Sequence, residues 1–351
     1  MSQDVWSAEN TTPDEVEAAL RGLLRRAHAA NDLLAPARVL NLVVVIGAER
    51  KDEIAERLSR VGRYHASRTV LCTVHEGRTT LDATAAIHYE EPRNGIGVVL
   101  EQVEIEIGPS HLAHLETIVD PVVVSELPTV LWRPGGADEV VDRLLGLTDV
   151  ILLDSDEHAD PASALVRARE LLGSAYVVDL AWLRTTPWRE RVAASFDPPW
   201  RRPALERIAG VSVRHRDSSQ ACALLWAGWL ASRLGWAPAP LGEGPSGAGL
   251  AGGATRAEAE VGVRLEPVEL RTPGLAGVTV ACTDGFALSL DRSPGGLRAR
   301  RQAPDGEETS WKVLGASRGE GGILGEGVRQ ALLRDPTYGP ALDAARGFCP
   351  A

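Results

Sequence analysis

Lysine is nearly absent from this sequence of 351 residues. Only Lys51 and Lys312 occur among its 37 basic residues, so almost every cation is a guanidinium, the group suited to two-point contacts with carboxylates and phosphates. The same arginine excess is typical of a GC-rich genome. Acidic residues number 48 and the net charge is −11, so the chain lacks the positive field that binding to nucleic acids or anionic membranes requires. We therefore expect neither as a partner.

Paired cysteines and long apolar runs are also missing. The four cysteines show no C-x-x-C spacing, so the sequence predicts neither a zinc site nor a disulfide framework; they are Cys72, Cys222, Cys282 and Cys349. The longest apolar stretches, "LNLVVVIGA" and "CALLWAGWLA", are too short to span a membrane, and "MSQDVWSAEN" lacks the cations of a signal peptide. We expect a soluble, cytoplasmic protein.

The pattern of apolar residues predicts an α/β fold. Strand-like runs alternate with helical spacings up to about residue 236, which indicates one or two open sheets, mixed or mostly parallel, followed by a smaller α+β or β-rich C-terminal portion. We divide the chain into a tail and helix (1–36), a first α/β domain (37–160), a second α/β portion (161–236), a Pro/Gly-rich linker or loop (237–256) and a β-rich portion (257–351).

Several local signals are more specific. Thr12-Pro13-Asp14-Glu15 is typical of a capping box that begins a helix at Pro13. "DRSPGG" predicts a hairpin turn, and "CALLWAGWLASRLGW" is apolar nearly all round, which predicts a buried helix. "GEGPSG" at 242–247 has the spacing of a dinucleotide-binding loop, but it follows "APAP" instead of a strand, so we interpret it as linker.

Acidic side chains follow a predicted strand in "LLDSDEHADP". Asp154 and Asp156 there could hold Mg²⁺ or Mn²⁺, as the Asp-x-Asp motif does in nucleotide-sugar transferases. The alternative is a solvated loop in which Asp160 caps a helix that begins at Pro161. The lack of a nucleotide-binding loop upstream favours this second interpretation.

Two further polar sets are weaker. "GRYHASRTVL" places Arg63, His65, Ser67 and Arg68 at the entry to a strand. This combination could bind an anion, but the pattern alone favours a polar loop between a helix and a strand. "SHLAHLE" places His111 and His114 three residues apart on a predicted helix capped by Ser110, but no third metal ligand stands at a defined spacing, so we interpret both as surface or interface residues.

"DLAWLRTTPWRERV" combines two tryptophans and three arginines. Thr186 before Pro187 predicts a helix that begins there, with Trp188 and Arg189 on its first turn near the surface. Tryptophan beside arginine is the composition of interface hot spots. The tryptophans could equally lie in the core while the arginines pair with acids, and the residues alone leave this open.

Five stretches together resemble a known family. "RTVLCTVHE", "VEIEIGPSHLAHLETIVDPVVVSELPTVLWRPGG", "LLDS", "DLAWLRTTPWRE" and "LLWAGWLASRLGW" are similar, in this order, to the glucose-6-phosphate dehydrogenase assembly proteins of actinobacteria and cyanobacteria, the OpcA family. The resemblance covers about residues 38–236. It departs from the family at Ala66, where "HASR" stands for the family's "HPSR".

The resemblance implies a non-enzymatic cytosolic protein, without cofactor or catalytic residue, that binds glucose-6-phosphate dehydrogenase. Such an allosteric activator would promote the active oligomer and support NADPH production in the oxidative pentose phosphate pathway. The candidate contact residues are Trp132, Arg133, Trp182, Arg184, Thr186, Pro187, Trp188, Arg189 and Trp200. Two alternatives remain: a metal-dependent enzyme on a phosphorylated or nucleotide-linked sugar, using Asp154 and Asp156, and a sugar-phosphate-sensing regulatory module.

Overall fold

The chain forms two units, each with its own sheet. The computed structural model describes residues 2–61, 67–89, 97–135, 138–245, 247, 249–314 and 319–350. Unit 1 contains Met1–Leu153, Ser174–Val178 and Leu324–Leu333, and unit 2 contains Asp154–Gly173, Asp179–Ile323 and Arg334–Ala351. Within the described residues, no helix is long and apolar enough to cross a membrane.

The first sheet is mainly parallel. Its strands are β1 (Ser2–Ala8), β2 (Leu34–Pro36), β3 (Leu40–Gly47), β4 (Ser67–Val74), β5 (Asp82–Tyr89), β6 (Gly97–Ile107), β7 (Thr129–Trp132), β8 (Val150–Leu153) and β9 (Tyr176–Asp179). They lie in the order β1-β5-β6-β4-β3-β7-β8-β9, with β2 beside β6. The central pairs β3–β4, β3–β7, β4–β6 and β7–β8 are parallel, whereas β5 is antiparallel to β1 and β6.

The described α-helices that lie wholly in unit 1 are α1 (Pro13–Ala30), α2 (Lys51–Val61), α3 (Leu115–Val119) and α4 (Asp138–Leu144). The capping box predicted for α1 is confirmed, since the Thr12 hydroxyl accepts from the Glu15 amide and the Glu15 side chain accepts from the Thr12 amide. The N-terminal segment was predicted as a tail, which is wrong for residues 2–8. These form strand β1, which pairs with β5 from Gln3–His88 to Ala8–Ala83.

The second sheet is mainly antiparallel. Unit 2 begins with α5 (Pro161–Leu171), α6 (Leu180–Phe196), β10 (Ile208–Arg216) and α7 (Gln220–Leu234). It continues with β11 (Ala237–Pro238), β12 (Gly242–Glu243), β13 (Leu250–Arg256), β14 (Ala259–Val268), β15 (Leu275–Cys282), β16 (Ala287–Ser293), β17 (Gly296–Gln302) and β18 (Glu308–Leu314). Of the next helix, α8 (Gly319–Gln330), the residues from Leu324 onward belong to unit 1, and α9 (Tyr338–Phe348) belongs to unit 2.

The strands of the second sheet lie in the order β11-β13-β14-β10-β15-β16-β17-β18, with β12 beside β13. Strands β10 and β14 are parallel, and the other described pairs are antiparallel. One face buries apolar side chains such as Val213, Leu265 and Leu290, and α7 packs against it at β10 and β14. Both sheets together confirm the predicted α/β fold with a β-rich C-terminal portion.

Helix α7 has the predicted buried character. Trp226 is fully buried and Trp229 is 9% exposed. Its Gly228 faces α9, where an added Cβ would lie 2.3 Å from the Ala341 carbonyl oxygen. Only glycine therefore permits this close approach of the two helices.

The Pro/Gly-rich segment 237–256 is not the linker that we predicted. It contains β11, β12 and β13, and β13 pairs along its whole length with β14. Glycine and alanine have low strand propensity, but "LAGGATR" forms a strand because its backbone pairs with the neighbouring strand β14. The "DRSPGG" hairpin is confirmed between β16 and β17, where Gly295 adopts φ +77°.

Candidate functional site

Three carboxylates and one guanidinium are buried together in unit 2, and we call them the buried Asp–Arg cluster: Asp154, Asp156, Asp179 and Arg184. Arg184 donates from both terminal nitrogens to the two oxygens of Asp154, each at 2.7 Å. The Arg184 and Asp154 side chains are 6% and 4% exposed. This two-point geometry lets a buried pair offset the cost of removing both charges from water.

Asp156 is held differently. Its Oδ1 accepts from the amide of Cys222 at 3.0 Å, while its Oδ2 lies 3.7 Å from Arg184 Nη1 and has no hydrogen-bond partner among the described residues. Burial and then the neighbouring charge of Asp154 outweigh the attraction of Arg184 and raise the pKa of Asp156 to about 8. The carboxyl is therefore protonated at neutral pH.

Asp179 joins three elements of unit 2. Its carboxylate caps α6 through the amide of Ala181 at 2.9 Å and accepts from the Ser155 amide and hydroxyl at 3.1 and 2.6 Å. The phenol of Tyr338 in α9 donates to it at 3.2 Å. Burial, followed by the charge of Asp154, raises the pKa of Asp179 to about 6, although the hydrogen bonds act in the opposite direction.

This geometry does not suit the metal site considered for Asp154 and Asp156. Both oxygens of Asp154 bind a guanidinium, and Asp156 favours its neutral form, whereas Mg²⁺ and Mn²⁺ need free carboxylate oxygens. Across the described ranges, no group of three or more His, Cys, Asp or Glu side chains is placed to hold a metal. Asp160 caps α5 through the Ala162 and Ser163 amides, as the loop interpretation predicted.

The "DLAWLRTTPWRERV" segment is a helix with a core-facing side. Trp182 is 2% exposed, and its indole N–H donates to Asp335 at 2.9 Å. The Arg189 guanidinium lies over the Trp182 ring, 3.4 Å from its centroid, and donates to Thr185 and Thr186 at 2.8 and 3.0 Å. Burial lowers the pKa of Arg189 to about 10. Trp182 and Arg189 are therefore packed and hydrogen-bonded within the chain.

The helix start that we predicted at Pro187 is wrong. Helix α6 begins at Leu180 with Asp179 as its N-cap, and Pro187 lies inside it. Proline removes one amide donor from the helical ladder. The Asp179 cap and the burial of Trp182 and Trp188 outweigh that loss. The helix boundary is set by the Asp179 carboxylate, which caps the helix six residues before the Thr-Thr-Pro sequence begins at Thr185.

Most of the candidate contact residues are buried. Trp132 is 1% exposed, with the guanidinium of Arg57 4.8 Å from its ring centroid, and Trp188 is 2% exposed. Arg133 donates to the carbonyl of Pro134, and Gly136 of the same loop lies outside the described residues. Trp200 differs from these, since 76% of it is exposed. Of the four tryptophans that we predicted at a contact surface, only Trp200 is exposed to solvent.

The anion-binding set is also corrected. Arg68 is 2% exposed and pairs with Glu101 at 2.7 Å and Glu17 at 3.0 Å inside unit 1, so its charge is already balanced. Ser67 is 5% exposed. Arg63 and His65 lie outside the described residues. The order of the residues could not show that Arg68 points into the core.

The structure also shows the surroundings of His111, Cys72 and Cys222. His111 accepts from the Gly108 amide in a short 3₁₀ helix, Pro109–His114, so Gly108 and not Ser110 begins that turn. Burial raises the pKa of the Cys72 thiol to about 12 and that of Cys222 well above its usual value. Thiols that stay protonated are poor nucleophiles.

Two family models match consecutive parts of this chain. One, described as the glucose-6-phosphate dehydrogenase subunit N-terminal domain, matches residues 58–170, and the other, described as that subunit's C-terminal domain, matches residues 175–342. Both carry the OpcA name and together they cover well over half of the chain. The chain belongs to the OpcA family.

OpcA proteins of cyanobacteria are similar over part of the sequence. The protein from Synechococcus elongatus, provisionally named an OxPP cycle protein OpcA, is 28% identical over 174 residues, which are 48% of this chain and 39% of that protein. The Synechocystis protein of the same name is 33% identical over 131 residues, or 36% of this chain and 28% of that protein. The matched regions thus span less than half of these relatives.

Solved structures resemble this OpcA-family chain only distantly. The transcriptional regulator Gal80p of Kluyveromyces lactis is 8% identical with a TM-score of 0.48, over 89% of this chain and 88% of that one. Apo scyllo-inositol dehydrogenase of Lactobacillus casei is 10% identical with a TM-score of 0.44, over 89% and 96% of the two chains. Likenesses this weak say nothing about activity.

Sequence reasoning missed the partners of the buried Asp–Arg cluster. Ser155, Cys222, Asp335 and Tyr338 hold its members or its neighbour Trp182, and Tyr338 is 159 residues from Asp179. Asp179 alone carried a local signal, since an aspartate directly before a helical run is an N-cap pattern. The cluster fixes the positions of α6, α7 and α9 within unit 2.

Proposed function

We propose that this chain is a non-enzymatic, cytosolic partner of glucose-6-phosphate dehydrogenase that promotes its active oligomer. The observation that carries the proposal is the match of both halves of the chain to domains described as subunits of that enzyme. The buried Asp–Arg cluster supports it, because Asp154 and Asp179 are engaged with groups of the chain itself and all three carboxyl groups are nearly closed to solvent. An activator needs only a higher affinity for the active state than for the inactive one.

The contact surface that we propose is the Trp200 patch, which consists of Trp200, Arg201, Arg301 and Trp311. Trp200 and Trp311 are 76% and 38% exposed, in a unit that buries its other tryptophans. Partial burial, and then the nearby charge of Arg301, lowers the pKa of Arg201, so the two guanidiniums are close.

Trp311 belongs to the same surface by its place in the sheet. Thr309 lies directly opposite Arg301, and the Arg301 guanidinium donates to its hydroxyl at 3.2 Å. Trp311 is two residues further along β18 and therefore on the same face. Exposed indoles beside arginines form the composition that dominates binding energy at protein interfaces.

Removal of the Trp200 ring tests this contact surface. A buried interface tryptophan contributes about 2 kcal/mol or more when truncated, which is roughly a thirtyfold change in affinity. We expect Trp200→Ala to weaken binding to the same organism's dehydrogenase by about this factor in a titration of enzyme activity. The matched control is Val166→Ala, which removes an exposed apolar side chain from α5.

The outcomes separate the surface from the function. Equal affinities of the Trp200→Ala and Val166→Ala variants would contradict the Trp200 patch and leave the function standing. No change in enzyme rate or mass at saturating wild-type chain would contradict the function itself. The net charge of −11 also predicts that association weakens with salt if the enzyme presents a basic surface.

A further inference from the structure

A cavity of about 580 Å³ lies on the second sheet where β16, β17 and β18 meet. Its lining residues are Asp291, Arg292, Ser293, Pro294, Arg298, Arg300, Glu308, Thr309 and Ser310. Arg298 and Arg300 alternate with the buried Ala299, so both lie on the face of the sheet opposite α7. A volume of this size is typical of small-molecule sites.

Arg298 and Arg300 line this cavity, and Lys312 stands next to Arg298 outside the lining. Arg298 and Arg300 are two residues apart on β17, and Lys312 of β18 lies directly opposite Arg298. Directly opposed like charges destabilise a sheet. Neither Arg298 nor Lys312 forms an ion pair in the described part of the chain, although the chain as a whole carries 48 acidic residues. The repulsion is relieved when an anion binds between them.

The Asp291 carboxylate of the cavity is held mainly by Arg214, although it also lies within ion-pair distance of Arg300. Asp291 lies directly opposite Arg298, yet it pairs with Arg214 of β10, which reaches it across Gly277 of β15. A Cβ at Gly277 would lie 2.1 Å from the Arg214 guanidinium, so glycine leaves the path for this pair open. The Asp291 charge is thus balanced from the far side, and its other oxygen remains 3.9 Å from Arg300.

The rest of the lining can bind hydroxyl groups. Ser310 lies opposite Arg300, and Glu308 lies two residues from Ser310 on the same face. Serine hydroxyls donate and accept, and a carboxylate accepts from a sugar hydroxyl. A guanidinium matches the geometry of a phosphoryl group with two parallel donors.

We propose that this cavity binds a small phosphorylated polyol. The phosphoryl group lies against Arg298 and Arg300, with the charge of Lys312 next to Arg298, and the hydroxyl groups of the polyol reach Ser310 and Glu308. The two arginines of the cavity lie on the face of β17 opposite Arg301 of the Trp200 patch, and Thr309 borders both sites. Binding at the cavity does not depend on the dehydrogenase, so it can be tested on the isolated chain.

The test is calorimetric titration of the full chain with glucose 6-phosphate and with inorganic phosphate as probes. We expect one saturable site for glucose 6-phosphate and weaker binding of phosphate alone. Arg298→Ser should weaken binding by at least about tenfold, since it removes a charge-assisted contact. The matched control is Arg264→Ser, which removes an exposed arginine from the same face of β14.

The control lies well away from the cavity. Arg264 and Arg300 stand in one cross-strand row with Ser212, Thr279 and Ser289 between them. Four strand spacings separate them by about 19 Å. We expect the affinity of Arg264→Ser to stay within about twofold of the wild-type value.

A second pair of variants keeps every cation. The Cβ added by Gly277→Ala would lie 2.1 Å from the Arg214 guanidinium and 2.8 Å from Asp291 Oδ1, so it breaks this ion pair. Asp291 can then turn to Arg298, and we expect weaker binding. Adding Asp291→Asn to that variant removes the competing carboxylate and should restore the affinity. The pair separates anion binding from a general loss of structure, which melting curves of each variant would detect.

Three results would overturn the proposal. They are no saturable binding of either probe, equal losses in Arg298→Ser and Arg264→Ser, and no rescue by Asp291→Asn. Equal affinity for inorganic phosphate and glucose 6-phosphate would overturn the polyol part, because Ser310 and Glu308 would then contribute nothing.

Discussion

Replacement of Arg184 by methionine tests the physical account of the buried Asp–Arg cluster. Arg184 donates twice to Asp154 at 2.7 Å, and the two side chains are 6% and 4% exposed. Without the guanidinium, Asp154 keeps a buried charge with no cation beside it. Breaking such a pair from one side costs about 3–5 kcal/mol. For a unit of this size we expect the melting temperature to fall by about 6–20 °C.

A double-mutant cycle measures the coupling by urea unfolding followed by circular dichroism. Arg184→Met, Asp154→Asn and the double variant are compared, and the double variant should be more stable than the sum of single losses implies by about 2 kcal/mol or more. Arg169→Met is the control, because its pair with Asp343 also measures 2.7 Å but is 44% and 51% exposed. We expect that loss to be below about 1 kcal/mol. Additive single losses, or equal losses in Arg184→Met and Arg169→Met, would refute the reasoning.

Two further predictions concern unit 2. The pKa of Asp156 is raised to about 8, so between its unfolded pKa near 4 and pH 8 the native state keeps a proton that the unfolded chain releases, and stability falls as pH rises. This slope is at most about 1.4 kcal/mol per pH unit, and Asp156→Asn should reduce it. The slope is measured by denaturant titrations between pH 6.5 and 8, above the pKa of Asp179. An unchanged slope would contradict the raised pKa of Asp156. Gly228→Ala should destabilise the chain by about 1–3 kcal/mol in the same assay, because the added Cβ meets the Ala341 carbonyl at 2.3 Å, and an unaltered midpoint contradicts this close approach.

The elements that sequence reasoning located are those whose cause is local. The capping box at Thr12, the all-apolar helix around Trp226 and the turn after Asp291 each depend on residues within a few positions. Neighbouring side chains decide caps, turns and hydrophobic spacing, so these patterns predicted the structure well.

The candidate site was less accessible to prediction because its partners are distant in the chain. Trp182 and Asp335 are 153 residues apart, and Arg68 and Glu101 are 33 residues apart. A pattern of tryptophan and arginine is the same whether the guanidinium stacks on a buried ring, as Arg189 does, or faces a partner. Only the packing of α6 distinguishes these cases, and it assigns Trp182 and Trp188 to the core.

The wrong prediction for segment 237–256 also results from a pairing with residues outside that segment. Glycine and proline content favoured a loop, but β14 pairs with "LAGGATR" from Leu250 to Arg256. Strand formation there depends on a neighbour that composition does not reveal.

The role that we propose for this OpcA-family chain is to assemble and activate glucose-6-phosphate dehydrogenase. The most direct measurement is the activity and native mass of the same organism's enzyme, with and without the chain, at two salt concentrations. We predict a higher rate together with a larger co-eluting species, and a weaker effect at high salt. An unchanged rate and an unchanged mass at saturating chain would contradict the account.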